Sequence, residues 1–439
     1  MGEIPVVAKP TNSDWTQRDA LVLANVMQRT TDPVFGPVIV RGQGSYVWDA
    51  EDRQFLDLTC GYSAANFGHA FPPLLDVARQ QLQRLTHVTG MPHPGRTELA
   101  ERLIRTCGRP GLDKVLFNSS GSRAIESAWK AAVCFRPGIV ASISPAFHGR
   151  SISTMSLSDT ARIGRLQRPK SEVIRRPPEE FAYCTACPLS LRYPSCDVAC
   201  QRSLLDWLER DADQISALFV EPALGARGYI APPAEYWQRI RKATERAGVL
   251  LIADEVQIGL GRAGHWLLSR SQGWQADMVI LGKSLGGGIV PISAVVGRAD
   301  ILDALPPGTE SETFSASPLA TAIACEVHHQ LESGPWMQRA LQLGQSLQEI
   351  LAKSAACSGK EHLPASIETC GASATLEFYR CWSELARATS EARRFAQRLL
   401  AAGLITHYGG PYGTRISFLP ALTIGDDEME EVRHRCLAA

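Results

Sequence analysis

The chain has 439 residues with 45 basic and 45 acidic side chains, so no net charge draws it to nucleic acid or to an anionic membrane. Its length exceeds one simple core and predicts two domains. No run of about 18 apolar residues occurs, and Met1-Gly2-Glu3-Ile4-Pro5 lacks the basic and apolar regions of a secretory signal, so a cytoplasmic enzyme is expected.

The first 30 residues are polar and read as an arm over the surface or over a partner subunit. Residues 46–58 hold two β-type runs around an acidic turn, which predicts a hairpin. Helical apolar spacing follows over 72–85 and 97–107. A short buried strand at 114–117 ends in Asn118-Ser119-Ser120-Gly121-Ser122, and 124–135 reads as a helix. Strands at 138–143, 217–220, 249–253 and 278–281, with a helix at 233–247, predict an α/β fold: a mostly parallel sheet with helices on both faces. From about residue 325 the helical stretches 319–333, 335–354 and 383–402 surround short strands near 373–379 and 414–418. This predicts a smaller α+β domain completed by the N-terminal hairpin. The expected division is an arm and part of the small domain at 1–65, a large domain at 66–324 and a C-terminal small domain at 325–439.

Of twelve cysteines, eight are scattered and read as small buried hydrophobes. Four cluster as Cys184, Cys187, Cys196 and Cys200 within an insert at 180–202. The spacing suits a structural tetrathiolate zinc, or equally a loop of packed thiols stiffened by Pro188 and Pro194. No histidine or carboxylate set accompanies them, so no catalytic metal is expected.

The chemistry concentrates at strand ends, where an open parallel sheet collects its ligands. Lys283 follows an apolar strand and precedes Ser284-Leu285-Gly286-Gly287-Gly288, so it is shielded from water and more nucleophilic toward a carbonyl than a surface lysine. Asp254, 29 residues upstream, ends the run 248–253 and needs a cationic or donor partner. Pyridoxal phosphate meets both needs, because its aldehyde forms a Schiff base with lysine and its protonated ring nitrogen pairs with aspartate. Ser120, Gly121 and Ser122 open a helix whose free amides favour a phosphate, although serine is also an ordinary cap. Phe147 offers a face for an aromatic ring, although by itself a phenylalanine here is more often core, with His148 beside it; Glu221 ends another strand, and Val256 and Gln257 follow Asp254.

The stretch 251–264, Leu-Ile-Ala-Asp-Glu-Val-Gln-Ile-Gly-Leu-Gly-Arg-Ala-Gly, followed by 282–288, resembles the signature of class III aminotransferases, fold-type I pyridoxal phosphate enzymes that include 4-aminobutyrate and ornithine aminotransferases. Gly68-His69, Phe147-His148-Gly149-Arg150, Glu221-Pro222, Thr313-Phe314 and Arg415 fall in the order the resemblance requires. It implies Lys283 as Schiff-base lysine and proton carrier, Asp254 on the pyridine nitrogen, Gln257 on the ring hydroxyl, and Val256 and Phe147 sandwiching the ring. It also implies a phosphate held by Gly121 and Ser122 of one subunit and Thr313 of the other, hence a homodimer with shared sites. Arg415 would meet a substrate carboxylate, with Tyr62 among the substrate contacts.

The chain departs from the family pattern around the substrate. Arg123 replaces an acidic residue, Gly225-Ala226-Arg227-Gly228 replaces Gly-Glu-Gly or Gly-Asp-Gly, Glu310-Ser311-Glu312 replaces a histidine segment, and Ala316-Ser317 replaces Gly-Asn. An acid-to-guanidinium exchange changes local charge by two units, so Arg123 and Arg227 predict an anionic substrate, phosphorylated or dicarboxylic. The alternative is that both arginines face solvent or pair with Glu126 and Glu221. Aminotransfer is the expected reaction. Racemisation, γ-elimination or carbon–carbon bond formation (for example on an S-adenosylmethionine-like substrate) is the alternative, and retention of Lys283, Asp254 and Gln257 argues against a non-catalytic binding protein.

Overall fold

Leu250-Leu251-Ile252-Ala253 is apolar at every position, the pattern of a strand buried on both faces. The computed structural model, which describes residues 10–23, 36–108, 111–143, 146–158, 173–176, 191, 193–357, 366–378, 385–410 and 412–439, places that run in the middle of a sheet. The strands in chain order begin with β1 (Ile39–Gln43), β2 (Tyr46–Asp49) and β3 (Gln54–Asp57). Next come β4 (Lys114–Asn118), β5 (Ile139–Ile143), β6 (Val173–Arg176), β7 (Ile215–Val220), β8 (Leu250–Asp254), β9 (Met278–Leu281) and β10 (Ser293–Gly297). The last are β11 (Ser366–Thr369), β12 (Ala374–Glu377), β13 (Leu404–Ile405), β14 (His407–Gly409) and β15 (Arg415–Phe418).

The seven-stranded sheet runs β4-β10-β9-β8-β7-β5-β6. Every adjacent pair from β9 to β6 is parallel, and β10 alone runs antiparallel to both its neighbours. Because β10 reverses twice, β4 points the same way as β9. The carboxyl ends of β4, β5, β7, β8 and β9 therefore share one rim. Side chains along β8 alternate between two apolar cores: Leu250 and Ile252 pack with Ala124, Ala128 and Phe219, whereas Leu251 and Ala253 pack with Leu218, Trp237 and Val279. Period-two alternation thus covers both faces with helices, as expected of a fold-type I sheet. Truncating Leu251 or Ile252 to alanine leaves a cavity worth roughly 2–5 kcal/mol.

The remaining strands tie the chain ends together. The expected hairpin is β2–β3, and β3 also pairs in parallel with β13, matching Leu56 with Leu404. A second small sheet runs β11-β12-β15-β14 and is antiparallel throughout. Arg262, fully buried, donates to Asn66 Oδ1 at 2.6 Å and to the carbonyls of Ala372 and Pro420 at 2.9 and 2.8 Å, fastening three distant segments. The segment expected as a plain polar arm contains a helix, Asn12–Val22, capped reciprocally by Thr11 and Asp14. None of its residues is buried, so apolar periodicity had nothing to report, while the cap chemistry suffices to start it. Strand β10 also went unforeseen, since only its two partners make Ser-Ala-Val-Val-Gly a strand.

Residues Cys60, Gly61, Tyr62 and Ser63 all have φ between 46° and 67°, one turn of left-handed backbone. Non-glycine residues there cost about 1–3 kcal/mol each, so the surrounding structure must hold them. The turn delivers the Tyr62 carbonyl and the Ser63 hydroxyl to the sheet rim. Among the described residues, no helix is long and apolar enough to cross a membrane.

Candidate active site

Parallel pairing sets Asp254 of β8 opposite Ile280 of β9, and the Glu255 N–H donates to the Ile280 carbonyl at 3.0 Å. Lys283 lies three residues past that register point, so both groups emerge from adjacent strand ends. Lys283 has φ 43° at the start of a short 3₁₀ turn, a strained position for a non-glycine residue. Burial outweighs the attraction of the Asp254 and Glu221 charges and brings its ammonium down to about 8.

Asp254 is buried and accepts from Val256 N–H at 3.1 Å through Oδ1, while Oδ2 lies 2.7 Å from His148 Nδ1. Burial opposes the His148 cation, yet the Asp254 bond and charge outweigh it and raise the imidazole above its ordinary range. His148 is fixed from behind by Ser158 Oγ, which accepts its backbone N–H at 2.9 Å, and its buried Nε2 has no hydrogen-bond partner among the described residues. Glu221, also buried, accepts from Phe147 N–H at 2.8 Å and Gly225 N–H at 3.1 Å. Burial nevertheless pushes its carboxyl up to about 7. Glu255 points away from this group and accepts from Leu268 and Ser269 N–H at 3.2 and 2.8 Å; burial raises it to about 7 as well.

Gln257 donates through Nε2 to the Tyr62 carbonyl at 3.1 Å, Ser63 Oγ at 3.2 Å and Tyr229 Oη at 2.6 Å. Tyr62, 47% exposed, packs edge-on against His407, with ring centroids 4.6 Å apart. Ser63 and Tyr229 are site neighbours that the sequence reading missed. The glycine before Tyr229 was their one visible signal.

At the other end of the rim, Ser120 caps the helix Gly121–Phe135. A Cβ on Gly121 would sit 3.2 Å from Val256 Cγ1, so the turn that opens this helix packs directly against Val256. Ser122 Oγ accepts from Arg150 N–H at 3.3 Å, and the Arg150 guanidinium lies 5.6 Å from the centre of the Phe147 ring. Thr313 is exposed on this chain, and its carbonyl accepts from Thr89 Oγ1 at 3.3 Å.

The arginines tell a different story from the one expected. Arg123 binds Glu312 at 2.6 Å and Glu126 at 2.8 Å, so its guanidinium is held by protein carboxylates and not offered to a substrate. Pairing with Glu126 was the foreseen alternative. Arg415 is 9% exposed and pairs with Glu377, its cross-strand neighbour on β12, while its Nη1 donates to the Arg227 carbonyl. Strand register is what brings Glu377 to Arg415. Arg227 remains partly exposed beside this pair. Cys184 and Cys187 lie outside the described residues; Cys196 and Cys200 are partly buried.

A buried aspartate and a lysine of lowered basicity on adjacent strand ends, with a helix N-terminus nearby, is the arrangement the family signature calls for. The profile of the aminotransferase class-III family matches residues 26–438. The chain belongs to the class-III aminotransferase family. It is 30% identical over 402 residues to 5-aminovalerate aminotransferase of Pseudomonas aeruginosa, covering 90% of this chain and 91% of that one. It is 29% identical over 422 residues to a leucine/methionine racemase of Thermococcus litoralis, covering 93% and 91%. The pyridoxal phosphate-bound amine transaminase of an uncultivated Pseudomonas species superposes with a TM-score of 0.82 at 27% identity, covering 95% of this chain and 98% of that one. This class-III chain is a pyridoxal phosphate-dependent aminotransferase with the fold-type I architecture.

The residues present fit that cofactor. Asp254 has two described partners and lone pairs left for a ring-nitrogen cation. The first amides of the helix Gly121–Phe135 have no partner within the helix and suit a phosphate. Gly121 and Gly282 leave clear the space beside Val256 that a Cβ on either, 3.2–3.3 Å from Val256 Cγ1, would enter.

Proposed function

We propose that this enzyme transfers the amino group of an anionic amino compound, with Lys283 and Asp254 as its catalytic residues. The observation that carries the reading is the register of β8 on β9, which sets the buried Asp254–His148 pair next to a lysine whose ammonium is brought down to about 8. When bound, pyridoxal phosphate supplies an aldehyde carbon open to amines and a protonated ring that draws electrons from the substrate Cα. Asp254 would pair with the protonated ring nitrogen, and His148 orients Asp254. Gly121 and Ser122, with Ser120 as cap, hold the phosphate from one protomer and Thr313 from a second copy. Val256 and Phe147 flank the ring, Gln257 meets its hydroxyl, and Glu221 fixes the Phe147 backbone. Lys283 Nζ would take the proton from the substrate Cα and carry it away from that carbon, close to neutrality as a base because its ammonium is brought down to about 8.

The anionic preference rests on Arg415, with Arg227 and Tyr62 at its side. A substrate carboxylate reaches Arg415 by taking the place of Glu377, an exchange of one carboxylate for another that costs little net charge. Arg123 is withdrawn from this role. The two-domain division, the homodimer with shared sites and a cytoplasmic location form part of the same proposal; exposed Thr313 and 67%-exposed Phe314 support the dimer.

The racemase relative favours one second reading, proton return to the opposite face of Cα. A panel of amino donors separates the two. Conversion of the cofactor to its pyridoxamine form with dicarboxylic or phosphorylated donors supports transfer, whereas deuterium uptake at Cα without that conversion supports racemisation.

A further inference from the structure

Two segments distant in sequence meet beside the phosphate turn. Arg123 donates from Nε to Glu312 Oε1 at 2.6 Å and from Nη1 to Glu126 Oε2 at 2.8 Å, and its Nη2 lies 3.8 Å from Glu310. Glu312 uses its other oxygen to accept the Ser119 N–H at 2.9 Å, and Asn118 Nδ2 approaches Oε1 at 3.4 Å. Glu310 pairs with Lys130 and accepts from Ser127 Oγ. One carboxylate thus touches the end of β4 and the first turn of the helix Gly121–Phe135, and Thr313 follows it directly. Both members of the pair are departures from the family pattern, and they are each other's partners.

We propose that Arg123 and Glu312 form an ionic clip that presses the Glu310–Thr313 segment onto the phosphate turn, making Arg123 a positioning residue for phosphate binding. A cation in the first turn opposes the helix dipole, so it needs carboxylates close by. Three carboxylates beside a phosphate site need a cation in turn, or they repel the anion. The clip satisfies both demands; Glu312 takes the Ser119 N–H, and none of the described contacts of the clip engages the amides of Gly121 and Ser122. Loss of Arg123 sets Glu126, Glu310 and Glu312 against Lys130 alone.

This inference rests on the reading that Gly121 and Ser122 hold the cofactor phosphate, and the experiment separates the two. Apoenzyme is titrated with pyridoxal phosphate and with phosphate-free pyridoxal, in wild type, Arg123→Gln, Arg123→Gln/Glu312→Gln and Ser122→Ala. The clip predicts that Arg123→Gln binds pyridoxal phosphate about tenfold more weakly while pyridoxal binding is unchanged. The double variant, with one acid fewer, recovers part of the loss. Inorganic phosphate should raise the apoenzyme Tm in wild type and much less in Arg123→Gln. Equal affinities for pyridoxal phosphate in wild type and Arg123→Gln, or a matching loss of pyridoxal, overturn the clip. If Ser122→Ala weakens binding and Arg123→Gln does not, the clip alone fails. If neither does, the phosphate reading fails with it. Should Arg123→Gln not fold, Arg123→Lys decides by the same comparison, with a loss of about threefold expected.

Discussion

The two charged regions of this enzyme follow opposite plans. On the sheet rim, Asp254, His148 and Glu221 are buried and Lys283 is half-buried, with few counter-charges, and proton affinities move: Lys283 falls to about 8 and Glu221 rises to about 7. Around the phosphate turn and β15, each of Arg123 and Arg415 is met by a protein carboxylate in direct contact. The Arg123–Glu312 contact holds that carboxylate below its ordinary range although burial alone would raise it. The lesson is that one region keeps groups poised to exchange protons, while the other holds charges that exchange partners.

The largest expected effect tests the first plan. Lys283→Ala should lower turnover by on the order of 10⁴-fold and abolish borohydride-trapped cofactor, since it removes the proton carrier. Turnover within tenfold of wild type would end the assignment. Next, Asp254→Asn should cost about 10²- to 10³-fold in kcat with cofactor still bound, because a neutral amide no longer favours the ring-nitrogen proton. Arg415→Ala probes the second plan. It leaves Glu377 buried without its cation, so kcat/KM for dicarboxylic donors should fall about 10²-fold and Tm should drop, whereas Glu377→Gln should lower KM for the same donors. An unchanged KM in both variants would make the pair purely structural.

Two smaller effects are set by pH. Association of apoenzyme with pyridoxal phosphate should speed up as pH rises, half-maximal near 8, where Lys283 loses its proton; a midpoint near 10 would mean that burial has not moved the group. Glu255 has a raised pKa, so between about 4.5 and about 7 the folded state binds the extra proton and stability falls as pH rises. Glu255→Gln removes that slope. Its Tm relative to wild type should become more favourable by a few degrees between about pH 5 and 8, and a parallel pair of curves would refute the assignment.

Much of the site was legible in residue order. Apolar runs ending in Asp254 and Glu221, and a lysine between a strand and a glycine turn, identify strand ends because alternation of strands and helices dictates a parallel sheet. The helix Asn12–Val22 and β10 were not legible, for one lacks a buried face and the other exists only through its neighbours. Tyr62 and Ser63 needed a left-handed turn that no local preference announces. The arginines were read by type, and of the carboxylates that meet Arg123 and Arg415 only Glu126 was foreseen.

What the sequence by itself determined is the chemistry of the rim, because burial of a strand and the residue at its end are encoded within a few neighbouring positions. Which charges neutralise which was decided only by tertiary structure. Glu312 lies 189 residues from Arg123, and Glu377 lies 38 residues from Arg415. Coulomb attraction depends on distance in space, and that distance is set by the packing of whole elements.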